Sequence, residues 1–285
     1  MRTLTTVTEL RGHLDDARRG GRTVGLVPTM GYLHEGHGSL IARAAAECDE
    51  VVTTVFVNPL QFAAGEDLDA YPRDLEGDAR TAAAAGCSVL FVPPEPEMYP
   101  HGRDSVATSV RVDSLASVME GASRPTHFAG VCTVVAKLFN IAGPCRAYFG
   151  EKDYQQLAIV SRMAEDLSFP VEVVGCPTTR HDDGLALSSR NAYLTVPERE
   201  AAPVLHRALG AGAAMVAAGE SDADAVRAEM ARIIEEAPLG ELDYVEVADP
   251  RTLAAVTRCD RPVRLFGAVR FGRARLIDNV AAGAP

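Results

Sequence analysis

The feature that most constrains the fold is the stretch of residues 23–46, TVGLVPTMGYLHEGHGSLIARAAA. Its apolar run Val24 to Val27 predicts a short buried strand, which Pro28 ends. The segment Thr29-Met30-Gly31 predicts a turn, and residues 39–46 have good helix formers at helical spacing. A strand, a glycine turn and a helix in this order direct backbone N–H groups and the positive end of a helix dipole to one point, where an anion can bind.

Two histidines, His34 and His37, lie at this predicted junction with Gly36 between them. Imidazole N–H groups there would stabilise negative charge that develops on a phosphate. The spacing alone also fits surface histidines beside an ordinary turn, and it does not decide between the two interpretations. Together with the βα junction, however, the histidines and Gly36 resemble the H-x-G-H signature of nucleotidyltransferases and class I aminoacyl-tRNA synthetases. The resemblance implies that the histidines contact the phosphates of ATP while its α-phosphorus is attacked.

The composition is that of a globular protein with a sizeable core, because 47 % of the 285 residues are apolar and 24 % are charged. A net charge of -11 argues against a general nucleic-acid-binding surface, so an ATP site must gather positive charge locally. The six cysteines are scattered and form no C-x-x-C pair, which favours reduced thiols in a cytoplasmic protein. We see no signal-peptide core and no apolar run of membrane-spanning length, and we expect no membrane partner.

Strand and helix patterns alternate up to about residue 178. The predicted strands are 24–27, 50–57, 87–92, 146–149 and 171–174, and the predicted helices are 4–19 with Thr8 as a possible N-cap, 74–85, 130–142 and 153–166. This alternation predicts an α/β fold with a doubly wound, mostly parallel sheet, a Rossmann-like domain covered on both faces. Ligands of such sheets bind beyond the carboxyl ends of the strands, where each motif below is expected to lie.

The pattern changes after residue 178. Two alanine-rich helical stretches, 197–218 and 222–236, precede three strand-like runs at 243–247, 263–269 and 274–277. We therefore predict a first domain at residues 1–178 and a smaller α+β domain at residues 179–285.

Amides and carboxylates follow the second predicted strand. Asn58 and Gln61 offer donors and acceptors that suit a hydroxyl or a carboxylate, although Asn-Pro is also a common turn. The segment 67–78 is rich in carboxylates, and Asp78 is a plausible ligand of Mg²⁺, directly or through water. Most of these acids also fit the first turns of a solvated helix.

Basic residues precede two of the predicted helices. Arg124 and His127 would lie over the edge of the sheet, where either would orient a carboxylate or pair with an acid. After the fourth strand, Gly150 permits close approach of a ligand, Lys152 suits a phosphate, and Gln156 projects from the same helix face as Lys152. A Lys-Asp pair at a helix start can also be purely structural.

The last motif follows the fifth strand. Ser188, Ser189 and Arg190 would form a clamp that neutralises charge on a leaving pyrophosphate. The same residues also make a good turn or helix cap, which the motif alone favours.

Together these segments resemble the pantothenate synthetase family, the pantoate–β-alanine ligases, over nearly the whole chain. Each segment is moderately specific alone, and their order and spacing make the match highly specific. The resemblance is carried by Pro28-Thr29-Met30-Gly31 with His34-Glu35-Gly36-His37, Phe56-Val57-Asn58-Pro59 with Gln61-Phe62, Tyr71-Pro72-Arg73, His127-Phe128-Ala129-Gly130-Val131, the segment 150–156, the segment 183–191 and Arg275-Leu276-Ile277-Asp278-Asn279.

This resemblance implies condensation of (R)-pantoate with β-alanine, driven by ATP, to give pantothenate, AMP and pyrophosphate. A carboxylate is a poor electrophile, so pantoate must first attack the α-phosphorus of ATP and become pantoyl adenylate. The amine of β-alanine then displaces AMP. The family also implies Mg²⁺ with ATP, a homodimer joined through the larger domain, and a lid role for residues 179–285.

Carried over by position, the resemblance also assigns the site residues. It implies catalytic roles for His34, His37, Lys152, Ser188, Ser189 and Arg190, with His37 at the position of a proton donor. It implies ATP contacts for Met30, Gly31, Tyr32, Leu33, His34, Glu35, Gly36, His37, Gly150, Glu151, Lys152, Asp153, Thr179, Leu187, Ser188, Ser189 and Arg190. It implies pantoate or β-alanine contacts for Gln61, Gln156, Asn58, Arg124 and His127, and a place near Mg²⁺ for Asp78, although Gly77 stands where some members carry a second acid.

Two other functions compete with this interpretation. A related H-x-G-H enzyme would transfer AMP to a phosphate ester, but such a substrate calls for extra basic residues where this chain has Gln61 and Gln156. A nucleotide-binding regulatory module without catalysis would not need both histidines together with Lys152 and the Ser-Ser-Arg segment. Pyrophosphate release separates the three, because a ligase needs pantoate for it and a pure binding protein never produces it.

Overall fold

The computed structural model describes residues 1–62, 68 and 71–283, and the chain forms two compact units. The first unit consists of Met1–Gly150 and Gln155–Cys176, and the second of Glu151–Tyr154 with the residues from Pro177 onward.

A six-stranded sheet forms the centre of the first unit. Its strands are β1 (Arg2–Leu4), β2 (Val24–Thr29), β3 (Glu50–Val55), β4 (Val89–Phe91), β5 (Cys145–Gly150) and β6 (Val171–Cys176). They are ordered β1-β4-β3-β2-β5-β6, and every neighbouring pair is parallel. The predicted doubly wound, Rossmann-like sheet is confirmed.

Helices cover both faces of this sheet. They are α1 (Val7–Arg19), α2 (Glu35–Glu47), α3 (Leu75–Ala84), α4 (Glu95–Met98), α5 (Asp113–Ala116), α6 (Met119–Ser123), α7 (His127–Ala142) and α8 (Tyr154–Asp166), the last of which has its first residue in the second unit. All four residues from Val24 to Val27 are buried, and because successive side chains of a strand point to opposite faces, neither face of β2 is exposed to solvent. Val27 packs with Ile41 and Ala44 of α2 in one core cluster.

The start of the chain differs from the prediction in two ways. Leu4, predicted as the first residue of a helix, instead ends a strand that no pattern predicted, because residues 2–4 pair with β4. The prediction that Thr8 caps α1 was wrong, since the cap is Thr6. Thr6 accepts from the Glu9 backbone N–H at 3.2 Å while the Glu9 carboxylate accepts from the Thr6 N–H at 3.1 Å, and Thr8 has no glutamate three residues later.

The second unit packs helices against a three-stranded antiparallel sheet. Its helices are α9 (Val196–Ala201), α10 (Val204–Ala217) and α11 (Ala223–Glu235), and its strands are β7 (Glu241–Ala248), β8 (Val263–Phe271) and β9 (Ala274–Ala282), ordered β7-β8-β9. The predicted α+β character is confirmed. The single predicted helix at 197–218 was wrong, because the chain turns at Ala202 and Pro203, where proline cannot donate the N–H that would continue α9.

Among the described residues no helix is long and apolar enough to cross a membrane. All six cysteines are thiols outside any disulfide, and four of them are buried.

Candidate functional site

The order of the strands defines where a ligand can bind in the first unit. From β2 the chain proceeds to β3 and β4 on one side, and β5 and β6 lie on the other side, so the topology switches direction between β2 and β5. Open α/β sheets bind ligands beyond the carboxyl ends of the strands at such a switch point. The histidine pair follows β2, Asn58 and Gln61 follow β3, and Gln156 follows β5. These three strands are neighbours in the sheet.

Asp78 of α3 holds the turn between β2 and α2. Its side chain is buried, and its two carboxylate oxygens accept hydrogen bonds from the backbone N–H groups of Tyr32 at 3.1 Å and Leu33 at 2.6 Å. Gly31 and Tyr32 have φ values of 88° and 54°, in the left-handed region. A Cβ at Gly31 would lie 2.9 Å from Asp78 Oδ2, so a side chain does not fit there. The carboxylate thus fixes the backbone that was predicted to lie along ATP.

The metal role predicted for Asp78 stays a prediction. Both of its oxygens already accept backbone N–H groups, and no group of three or more His, Cys, Asp or Glu side chains that would hold a metal occurs in the part of the chain that the structure describes. The predicted carboxylate-rich segment 67–78 begins in residues outside that part, since 67, 69 and 70 are not described.

The two histidines of the H-x-G-H segment cap the N-terminus of α2. His34 Nδ1 accepts from the Gly36 backbone N–H at 3.1 Å, and His37 Nδ1 accepts from the His34 backbone N–H at 3.3 Å. Because a backbone N–H can only donate, each Nδ1 must be the unprotonated nitrogen, which places the ring proton on Nε2. The ring centroids are 4.1 Å apart. The site therefore has two adjacent Nε2–H donors beside the positive end of a helix dipole.

Beyond β3, a short 3₁₀ helix (Pro59–Gln61) carries the predicted pantoate residues. Asn58 caps it and is almost fully buried, and its Nδ2 donates to Gln61 Oε1 at 3.0 Å and to the Gly130 carbonyl at 3.1 Å. Its Oδ1 accepts from the Leu60 backbone N–H at 3.3 Å and from Tyr99 Oη at 2.7 Å. The amide of Asn58 is thereby saturated within the protein, and its predicted contact with a ligand would have to be indirect, through Gln61.

Arg124 and His127 were predicted to orient a carboxylate, and the structure gives both of them a contact with the backbone of Gln61. Arg124 Nη2 lies 3.4 Å and His127 Nδ1 3.1 Å from the Gln61 carbonyl oxygen. The structure thus places both residues against the backbone of the predicted pantoate residue. Their direct contact with a substrate stays a prediction.

Two adjacent glutamines on α8 have different surroundings. Gln155 is buried and fastens the segment of α5 and α6, because its side chain bonds Leu115 O, Val118 O and the Glu120 N–H at 2.8–3.0 Å. Gln156, the predicted pantoate residue, is half-buried. Gln155 is therefore engaged within the protein, and the pantoate contact of Gln156 stays a prediction.

In the second unit, a buried asparagine holds the predicted lysine segment in place. Asn279 of β9 donates from Nδ2 to the carbonyls of Glu151 at 2.8 Å and Lys152 at 2.9 Å. Its Oδ1 accepts from Arg264 Nε at 2.6 Å, and Arg264 Nη2 donates to the Glu151 carboxylate at 2.8 Å. Lys152 Nζ lies 3.5 Å from Asp153 Oδ1.

The Ser-Ser-Arg segment begins a short 3₁₀ helix, Ser189–Tyr193. Ser188 is its N-cap, and the Ser188 hydroxyl accepts from the Arg190 backbone N–H at 3.3 Å. The capping alternative is thus confirmed, and it leaves the hydroxyl proton available to a phosphate. Ser188, Arg190 and Lys152 line the same small cavity of the second unit, and their contact with phosphate stays a prediction. Thr179 accepts through its carbonyl from the Leu187 N–H at 2.9 Å.

An ion pair joins Arg180, which precedes the Ser-Ser-Arg segment in the chain, to the buried Asp278. Both Nη atoms of Arg180 donate hydrogen bonds to the Asp278 carboxylate, at 2.6 and 2.9 Å, and Nη1 also donates to the Gly184 carbonyl at 3.0 Å. His206 Nδ1 lies 3.6 Å from Asp278 Oδ2, which is too long for a normal hydrogen bond but close enough for a charge interaction. Burial alone would raise the pKa of Asp278, but the contacts with His206 and Arg180 outweigh it and lower that pKa.

Several side chains of these networks had no predicted role: Tyr99, Gln155, Arg180, His206, Arg264, Asp278 and Asn279. Asp278 and Asn279 belong to a tail segment whose sequence fits the family, and that fit was the only signal they gave. Tyr99 and Arg264 gave none, because neither belongs to a motif and each contacts the site across a large sequence separation.

Comparison with known proteins gives a consistent result. The family model described as Pantoate-beta-alanine ligase matches residues 2–281. A pantothenate synthetase of Sinorhizobium medicae is 51 % identical over 280 residues, which cover 98 % of this chain and 95 % of that protein. A pantothenate synthetase of Rubrobacter xylanophilus is 53 % identical over 269 residues, covering 93 % and 92 %.

Solved structures show the same similarity. The crystal structure of pantothenate synthetase from Thermus thermophilus superposes with a TM-score of 0.91 at 50 % identity, covering 98 % of this chain and 99 % of that one. A pantoate-beta-alanine ligase from Francisella tularensis, complexed with beta-gamma ATP and beta-alanine, has a TM-score of 0.78 at 32 % identity, covering 98 % and 97 %.

Proposed function

We propose residue roles for a chain that belongs to the pantoate-beta-alanine ligase family and that is, as a member of it, a ligase forming a carbon–nitrogen bond. Its reaction is the condensation of (R)-pantoate with β-alanine to pantothenate, with ATP converted to AMP and pyrophosphate. The observation that carries the proposal is the pair of Nε2–H donors at the N-terminus of α2, beside the switch point of the sheet.

In the first step, a carboxylate oxygen of pantoate attacks the α-phosphorus of ATP, and the bond from that phosphorus to the bridging oxygen breaks. Negative charge develops on the phosphoryl oxygens and on the leaving pyrophosphate. We assign His34 and His37 to this charge as hydrogen-bond donors, and the tautomer fixed at Nδ1 supports the assignment. Lys152, Ser188, Ser189 and Arg190 are assigned to the phosphates, which is supported by the common cavity of Lys152, Ser188 and Arg190.

In the second step, the unprotonated amine of β-alanine attacks the acyl carbon of pantoyl adenylate, and AMP leaves as the amide forms. We assign Gln61 and Gln156 to pantoate, with Asn58, Arg124 and His127 supporting them. The bonds that hold the Gln61 amide and carbonyl support this assignment. The segment Met30 to Leu33 and the segment Gly150 to Asp153 are assigned to ATP, together with Thr179 and Leu187.

Pyrophosphate release from ATP and Mg²⁺ tests the proposal. With pantoate alone we expect about one equivalent per site, and added β-alanine should drive steady turnover to AMP. In His37→Ala the pantoate-dependent release should be lost, with a far-UV circular dichroism spectrum like that of the wild type. The exposed His101→Ala serves as the matched control and should keep full activity. Release that requires a phosphorylated acceptor instead of pantoate would favour the rival transferase.

We also propose that Mg²⁺ enters as the complex with ATP, with Asp78 reaching it through water. The support is the prior engagement of both Asp78 oxygens by backbone N–H groups. Chelation of Mg²⁺ by EDTA should then stop pyrophosphate release, and release that continues would contradict the proposal.

The family further supports a homodimer and a cytoplasmic location. It also supports a division of the chain into two domains after residue 178, with residues 179–285 acting as a lid. Light scattering at micromolar concentration should give twice the chain mass of 30.3 kDa.

The reduced thiols support a reducing compartment, which cell fractionation would check. Slower proteolysis in the presence of ATP would support the lid role, and unchanged proteolysis would contradict it.

A further inference from the structure

The orientation of the Asn58 side chain is fixed by two backbone groups. The Leu60 N–H, which can only donate, lies 3.3 Å from one terminal atom of the amide, so this atom is the oxygen. The Gly130 carbonyl, which can only accept, lies 3.1 Å from the other terminal atom, so this atom is the nitrogen. A flipped Asn58 would place donor against donor and acceptor against acceptor in a buried site, at the cost of both bonds.

This orientation determines which end of Gln61 faces Asn58. The Asn58 nitrogen lies 3.0 Å from a terminal atom of Gln61, which must be an acceptor and is therefore Oε1. The other end, Nε2 with its two N–H donors, is the end of the Gln61 amide that can meet a ligand. Gln61 is only 7 % exposed, so rotation of the amide to expose Oε1 would leave a buried donor facing another donor.

Tyr99 completes the set of bonds at Asn58. Its Oη lies 2.7 Å from Asn58 Oδ1, so this oxygen accepts two hydrogen bonds, one from Leu60 and one from Tyr99. The Tyr99 ring is buried, with its centroid 6.0 Å from that of Phe56. Burial and the nearby Glu95 raise the pKa of Tyr99, which keeps its hydroxyl protonated and able to donate.

We propose that Tyr99 is a positioning residue that acts through Asn58 to present Gln61 to the substrate as a hydrogen-bond donor only. Gln61 then recognises the oxygen acceptors of a hydroxy acid, its carboxylate and hydroxyl groups, and discriminates against the ammonium group of β-alanine. The inference rests on the proposed function, because it names the substrate group that the same site selects. It extends the site to a residue 38 positions beyond Gln61 that belongs to no motif.

The first test is Tyr99→Phe, which removes one hydroxyl and keeps the ring. We expect the KM for pantoate in pyrophosphate release to rise about fivefold, the factor that a typical net hydrogen bond provides. The KM for ATP should stay unchanged. Tyr148→Phe is the matched control, because Tyr148 is also buried in the first unit and its hydroxyl bonds Glu47 instead. An equal rise of the pantoate KM in the control would overturn the proposal.

A double-mutant cycle separates positioning from general loss of stability. In a Gln61→Ala background, Tyr99→Phe should no longer change the kinetics with pantoate, since the residue through which it acts is absent. Independent, additive effects of the two substitutions would overturn the proposed route.

Gln61→Glu tests the polarity itself. Its carboxylate still accepts from Asn58 but presents an oxygen where the wild type presents N–H donors. We expect at least a hundredfold lower kcat/KM for pantoate, with ATP binding unchanged by titration; near-normal kinetics would overturn the proposal. A wild-type protein that releases no pyrophosphate with pantoate would instead overturn the proposed function, and this inference with it.

Discussion

At the scale of single residues, the candidate site depends on acceptors that hold backbone N–H groups. Both imidazoles and the Asp78 carboxylate act in this way around the turn between β2 and α2. The residue types were predictable, since histidines at a βα junction suit phosphate. The tautomer was not, because it depends on which backbone N–H faces each ring.

Replacement of Asp78 by asparagine tests this backbone role. The new amide would keep one acceptor but would turn an NH₂ group toward a backbone N–H, so we expect about 1–3 kcal/mol lower stability to urea. The KM for ATP in pyrophosphate release should rise as well, because the turn assigned to ATP loses its support. Glu76→Gln is the control on the same helix, where the Glu76 side chain is 92 % exposed. Unchanged stability and KM in Asp78→Asn would contradict the role.

At the scale of elements, the site requires α7 to touch the 3₁₀ helix Pro59–Gln61. Gly130 makes that contact possible, because a Cβ at this position would lie 2.1 Å from the Leu60 carbonyl oxygen. The sequence predicted a helix that begins at this glycine, yet the structure places Gly130 inside α7, which begins at His127. Periodicity located the helix but could not show that its neighbour approaches so closely, since that neighbour lies some 70 residues earlier.

Gly130→Ala should therefore act on the site and the fold together. The added methyl group must displace the Leu60 backbone, which we expect to lower the free energy of unfolding by about 1–3 kcal/mol and to raise the KM for pantoate. Gly12→Ala is the matched control inside α1, where nothing lies within 4 Å of the new Cβ. It should instead stabilise the protein by about 0.5–1 kcal/mol, because alanine is the better helix former. A Gly130→Ala variant as stable as the wild type would contradict the contact.

At the scale of the whole molecule, two units form around separate apolar cores. The apolar runs of β2, β3 and β4 were sufficient to predict the central strands of the first unit, because these strands are buried along most of their length. The strand Arg2–Leu4 escaped prediction, since it is set by pairing with Val89–Phe91 far along the chain. The cluster of Arg180, His206 and Asp278 was not predicted either, because its members also lie far apart in the sequence.

The stability of the second unit should depend on pH through Asp278. Its pKa is lowered in the folded protein, so the carboxylate stabilises the fold above the unfolded pKa of about 3.9, and this contribution is lost as the pH falls through the lower folded value. Asp278→Asn should cost about 3–5 kcal/mol near pH 7, since Arg180 is left without its partner. The difference from the wild type should shrink below pH 4, as urea titrations at several pH values would show. Asp260→Asn, at an exposed position, should show no such trend.

The hydrogen bonds from Asn279 to the Glu151 and Lys152 carbonyls affect when, during synthesis of the chain, the enzyme can become active. During translation, Asn279 is added to the chain 127 residues after Lys152. The histidine segment and the lysine are therefore synthesised early, whereas the amide that fixes the lysine backbone is added with strand β9. A nascent chain interrupted before this strand carries the side chains assigned to phosphate, but the backbone of Lys152 lacks its bonds to Asn279. We therefore expect chains that end before strand β9 to be unable to cleave ATP, and activity to arise only once this strand has been synthesised.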